Sequence, residues 1–274
     1  MNNQPIEYAL DPFPFYREMR GNAPVAFDRE RYSWSVFRYE DVQQVLSEWK
    51  DFSSQFGGPG SAENTSSPFA ASMISNDPPR HRQLRNLVTQ AFTPRAVDSL
   101  AARIAVLVNG YLDAVMDKGE MDVIHDLAYP LPVTVIAEML GIPAQDRERF
   151  KRWSDAVVAI GDLDNVDMSA LSHNQAVMEM SGYFMGMIQQ RQAQPGDDLI
   201  SGLLAANIEG VHLSLVELLG FCVLLLVAGN ETTTNLLGNA LMCFTDHPDA
   251  WKKLRGNDAL LPNAIEEVLR YRSP

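Results

Sequence analysis

From Pro79 onwards, apolar residues return every three or four positions, the spacing of an amphipathic or buried helix. HRQLRNLVTQAF, PRAVDSLAARIAVLVNGYLDAVM and PLPVTVIAEMLG read as three such helices, the last ending at Gly141. RERFKRWSDAVVAI and SALSHNQAVMEMSGYFMGMIQQRQ are two more, joined by the acidic loop GDLDNVD as a pair able to act as a lid. DLISGLLAAN, a turn at Glu209-Gly210, a long helix from about Ser214, HPDAWKKLR and LPNAIEEVLRYR complete the series. The N-terminal part differs: a short helix from Pro12 to Arg20 precedes two short strands, APVAFD and YSWSVFRY, and then the helix YEDVQQVLSEWKDF. Gly57 to Ser67, GGPGSAENTSS, has no apolar period and reads as a mobile loop. The pattern predicts a mainly α fold with a small β-sheet near the N-terminus and no internal repeat.

The long helix contains the sharpest break in this pattern. LLGFCVLLLVA carries no charge, and AGNETTTN, from Ala228 to Asn235, then brings a carboxylate and three hydroxyls. A buried helix has no water to satisfy them, so each needs a partner or costs free energy. Gly229 costs the helix about 1 kcal/mol relative to alanine, which points to something bulky against the backbone there. The Thr232 hydroxyl can bond back to the Ala228 carbonyl and bend or widen the helix, making a groove for a small ligand. Glu231 supplies an exchangeable proton, and desolvation in apolar surroundings favours its neutral form, so acid and hydroxyl together make a proton relay. The same residues also suit a capped break, with the threonines satisfying a kink and Glu231 paired to a surface Lys or Arg.

Two further groups carry chemistry. In DPPRHRQLR the prolines end an extended segment and start a helix, which sets His81 and Arg85 four apart on one face, a pair suited to a carboxylate or phosphate. In EEVLR, Glu267 and Arg270 stand three apart on a helix that reads as half-buried, where a surface ion pair is the plainer account.

Composition narrows the setting. The 274 residues are 46% hydrophobic, enough for a large core, and the net charge of -13 argues against a general nucleic-acid surface. The two cysteines, Cys222 and Cys243, are too few for a disulfide framework and lack the spacing of a zinc site, which fits a reducing cytoplasm. The N-terminus lacks the pattern of a signal peptide, and no uncharged apolar run reaches the roughly 18 residues of a membrane span.

Together and in this order, DPPRHRQLR, AGNETT and EEVLR resemble the cytochrome P450 family, closely its soluble bacterial members, from about Asp11 to Pro274. The resemblance implies a single P450-type domain over 1–274 that lacks the C-terminal portion, with the axial cysteine expected beyond Pro274 and no metal ligand in this chain. It implies haem b (iron protoporphyrin IX) as cofactor, with His81 and Arg85 on its propionates and Ala228 and Gly229 beside it. Glu231 and Thr232 would serve oxygen activation, and Glu267 with Arg270 would be structural. The loop at Gly57 to Ser67 and the helix pair around Ile160 to Met168 would border substrate. The implied activity is that of a haem-thiolate monooxygenase, which inserts one atom of dioxygen into a small apolar substrate. Electrons would come from NAD(P)H through a ferredoxin or flavodoxin-type donor with its reductase, docking where Arg80 and Arg82 lie; residues 1–274 alone are expected to be inactive. The alternative is a redox-inactive P450-like binding or recruitment module.

Overall fold

The computed structural model describes residues 11–30, 32–55, 71–158, 169–208 and 210–274. The loop expected at 57–67 and the connection around Ile160 to Met168 lie outside the described residues. The chain forms two compact units, Met1–Ser61 and Ala62–Pro274.

In the first unit, helix α1 (Phe13–Asn22) carries Pro14 in its first turn, where a missing N–H is no loss. Strands β1 (Val25–Asp28) and β2 (Ser33–Val36) pair antiparallel, with Val25 opposite Val36 and Asp28 opposite Ser33. The Glu30 N–H donates to Asp28 Oδ1 at 2.9 Å, an Asx-type closure of the hairpin turn, and Tyr32 takes φ 50° on its far side. Helix α2 (Tyr39–Ser47) places Glu40 and Asp41 in its first turn, complementing the helix dipole. Phe15 and Phe37 meet edge to face, with centroids 5.7 Å apart.

The second unit is helical. Helix α3 (Arg80–Ala91) is followed by α4 (Pro94–Met116), whose N-cap Thr93 accepts from the Ala96 N–H at 3.2 Å. A π-helical segment, Ile124–Ala128, leads into α5 (Pro130–Met139). Sequence periodicity did not reveal this segment; Pro130 and Pro132 lack the N–H groups that a regular ladder needs here. Helix α5 gives way at Gly141, as expected, with φ +73°, and a Cβ at this position would come within 2.5 Å of Asp198 Oδ2. Then come α6 (Arg147–Val158), α7 (Ser169–Ala193), α8 (Leu199–Ala205), α9 (Leu215–Asp246), α10 (Pro248–Arg255) and α11 (Leu261–Tyr271). Ser214 and Glu217 form a reciprocal capping box at the start of α9.

The core sits around the first half of α9. Leu218, Leu219, Phe221, Cys222, Val223 and Leu226 pack among Ile136 of α5 and Leu140 just past its end, Phe150 and Trp153 of α6, Phe184 and Ile188 of α7, and Leu203 of α8. Each large apolar side chain buried here contributes about 1.5–3 kcal/mol. Phe150 and Phe184 set the α6–α7 contact edge to face, at 6.2 Å. The mainly α architecture with one small N-terminal sheet agrees with the sequence reading.

Candidate functional site

Beyond Leu226 the burial of α9 becomes one-sided. Asn230 and Thr234 continue the buried face, whereas Ala228, Glu231, Thr232 and Asn235, at spacings of three and four, form an exposed stripe. On this stripe Thr232 Oγ1 donates to the Ala228 carbonyl at 2.6 Å, the back-bond that the spacing predicts. That carbonyl also belongs to the helix ladder, so the hydroxyl gives it a second donor, and α9 stays α-helical through the turn.

Glu231 is exposed, contrary to the expected burial, because it lies on the stripe and not against α5 or α6. Among the described residues it forms no ion pair with a surface Lys or Arg, so the capped-break account lacks its partner. Gly229 does meet a bulky neighbour, and that neighbour is protein: a Cβ there would stand 2.8 Å from Ile136 Cδ1. The glycine lets α5 approach α9.

His81 and Arg85 lie one turn apart on α3. His81 Nδ1 is 3.1 Å from the Met73 carbonyl; a carbonyl only accepts, so Nδ1 carries the proton in this bond. Arg85 is exposed. No hydrogen bond or ion pair among the described residues joins these two to Glu231 or Thr232. Helix α3 is instead tied to the start of α9 by Arg80, whose Nε donates to Glu217 Oε1 at 3.0 Å and whose Nη2 makes a second contact. Burial by itself would raise Glu217; hydrogen bonds from Arg80 and from Ser214 outweigh it and hold the carboxyl below the usual range. Arg80 is therefore committed to an internal ion pair, while Arg82 is exposed.

Glu267 and Arg270 make a two-pronged pair, with both bonds at 2.7 Å. They are 61% and 68% exposed, as the surface-pair account expects, since α11 turns Val268 inward and this pair outward. The hydrogen bond from Arg270 lowers the Glu267 carboxyl, and the same bond raises Arg270. The pair borders a cavity of about 560 Å³ between the end of α9, α10 and α11.

Both cysteines are buried. Cys222 is fully buried, and desolvation, helped by the Asp198 charge, pushes its thiol up to about 12. Burial also raises Cys243. Sequence reasoning did not single out Ser154 or Asn230, which are buried together with Thr234. Their only sequence signal was polarity inside apolar helical faces.

The family model for cytochrome P450 matches residues 15–274. "Cytochrome P450 109" from Bacillus spizizenii is 43% identical over 269 residues, which covers 97% of this chain and 64% of that relative. The crystal structure of substrate-free CYP109E1 from Bacillus megaterium superposes with a TM-score of 0.88 at 42% identity, over 97% of this chain and 69% of that one. The same enzyme in complex with testosterone gives a TM-score of 0.81 at 41% identity, over 96% and 68%. The chain belongs to the cytochrome P450 family, and it spans about two thirds of the length of these relatives.

Cytochrome P450s bind haem b. The donor set fits part of that group: an arginine and a histidine on one face of α3 can donate to paired carboxylates, and the open stripe of α9 offers small residues beside a hydroxyl and a carboxylate. Both cysteines of this chain are buried, and Cys222 is enclosed in the core, so neither offers an open thiol to the group.

Proposed function

We propose that this chain belongs to a haem-thiolate monooxygenase, within one P450-type domain, that inserts one oxygen atom from dioxygen into a small apolar organic molecule. The observation that carries it is the Thr232 to Ala228 bond beside exposed Glu231, on an open stripe of α9 that follows its buried first half. Haem, when bound, supplies the activation of dioxygen and the oxidising power. His81 and Arg85 would hold its propionates by charge-assisted bonds, and Ala228 and Gly229 would leave room beside the helix. Thr232 would hold a water at the stripe. Glu231, on the solvent side of the same turn, would deliver protons to it. Glu267 and Arg270 would stay structural. Unpaired cysteines agree with a reducing, cytoplasmic setting.

Electrons would arrive from NAD(P)H through a ferredoxin or flavodoxin-type donor and its reductase. With Arg80 engaged by Glu217, steering of an acidic donor at this corner would rest on Arg82. A steroid-sized substrate is the first class to try, because a similar enzyme is crystallised with testosterone. The two buried cysteines speak for a second reading, in which residues 1–274 alone act as a redox-inactive binding module.

The test uses a haem-loaded chain extended to the full length of the relatives. Thr232→Ala should leave haem and testosterone binding intact, lower product per NAD(P)H by roughly tenfold or more, and release hydrogen peroxide instead. Unchanged coupling would remove Thr232 from the relay. Absence of a thiolate-type spectrum under carbon monoxide in the extended wild type would favour the binding module.

A further inference from the structure

Behind the open stripe, hydrogen bonds fasten the same turn of α9 to two other elements. Asn230 Nδ2 donates to Ser154 Oγ of α6 at 2.9 Å. One turn on, Thr234 Oγ1 donates to the Ala128 carbonyl at 3.0 Å and lies 3.4 Å from Asn230 Oδ1. Next to Ser154, Asp155 accepts from the Tyr129 hydroxyl. Asn230 and Ser154 are 1% and 0% exposed, so the bond between them is closed to water.

The Thr234 bond has a local cause. Ala128 would give its carbonyl to the residue four further on, which is Pro132 and has no N–H, so the hydroxyl satisfies an acceptor that would otherwise be orphaned. No such need explains Asn230 and Ser154. Phe150, Trp153 and Leu226 on the same two helices are fully or almost fully buried, and a leucine facing an alanine would fill the space without taking two polar groups out of water. What a buried hydrogen bond adds is direction: it holds at one rotation and one register of the helices and is lost when either changes. Glu231 is the next residue after Asn230, and Thr232 the one after that. A rotation of α9 that breaks the bond therefore swings both.

We propose that Asn230 is a positioning residue, which through Ser154 latches α6 to the turn of α9 that presents Glu231 and Thr232, so that the setting of α6 and the aim of the relay pair change together. The proposal rests on the monooxygenase reading for its effect on turnover, but not for the latch itself. Asn230→Leu alone strands the Ser154 hydroxyl. The double variant Asn230→Leu with Ser154→Ala makes both sides apolar, a replacement that folding tolerates.

Two measurements on the haem-loaded chain, extended as above, test it. In the first, hydrogen–deuterium exchange across 147–158 should quicken in the double variant while the thermal midpoint stays near wild type. In the second, product per NAD(P)H with testosterone should fall by about threefold or more in the double variant, within the range of energetic coupling through a linked network. Ser154→Thr, which keeps the hydroxyl, should retain wild-type coupling. Unchanged α6 exchange overturns the latch, and wild-type coupling in the double variant overturns its link to the relay pair. If wild type leaves testosterone untouched, the steroid reading fails while the exchange measurement still decides the latch.

Discussion

Helices α4 and α9 are both long and apolar, and the structure treats them in opposite ways. By length and composition alone each could cross a membrane: mean hydropathy reaches 1.3 in Ala96–Met116 and 1.7 in Leu215–Asp246. Although no uncharged run is long enough to suggest a span, both helices pass this looser test. In the richest stretch of α9 half the residues are buried, whereas in that of α4 the share is 6%. Helix α9 is wrapped by α5, α6, α7 and α8. Helix α4 is held at a few points, by Arg103 on Glu138 at 2.7 Å and by the Tyr111 hydroxyl, 2.9 Å from Thr134 Oγ1, while Val106 and Met116 stay exposed. Hydropathy says that a helix gains from cover; it does not say what covers it.

The largest expected effect separates the two helices directly. Leu226→Ala on α9 empties a site with no solvent exposure and should cost about 2–5 kcal/mol in urea unfolding, whereas Val106→Ala on α4 should stay within about 0.5 kcal/mol. Equal losses would mean that α4 is covered in solution.

A smaller effect probes how tightly α9 is wrapped. Gly229→Ala drives a methyl into Ile136 Cδ1 and should cost about 1–3 kcal/mol, the usual range for overpacking. Ile136→Val removes that atom, so adding it should recover part of the loss; a purely additive double variant would place the strain elsewhere.

The smallest effect lies at the cap of α9. Because Glu217 is held below its ordinary value of 4.5, the stability it contributes is fully present above that pH and is lost as the pH falls through its lowered value. Glu217→Gln should flatten this part of the acid limb of the thermal midpoint. The titration should otherwise keep its shape, since Glu138 on the α4 side, lowered by its hydrogen bond to Arg103, keeps its own acid response. An unaltered acid limb would show that the Arg80 ion pair adds nothing to the cap.

The helices of the second unit were legible because their signals are local. Thr93, Ser214 and Gly141 start or stop elements through bonds that reach only a few residues along the chain. The π-helical segment was not legible, since its cause is a pair of prolines that withdraw donors from the preceding turn, and apolar period does not record a missing N–H. In the candidate site, the Thr232 back-bond was readable from spacing, and the likeness of three short motifs to one family was readable from their order. The exposure of Glu231 was not, because apolar residues before it in the chain do not tell which side of the helix they cover.

The sequence by itself determined where α9 begins, that Thr232 bonds back to Ala228 in its middle turn, and that His81 and Arg85 share a face of α3, since helical geometry brings residues three and four apart together wherever the helix lies. Only the tertiary structure decided that Gly229 answers to Ile136, that Arg80 is spent on Glu217, and that Asn230 finds Ser154. Those partners stand far off along the chain, Ser154 by 76 residues and Glu217 by 137, and which of them meet depends on how whole helices pack.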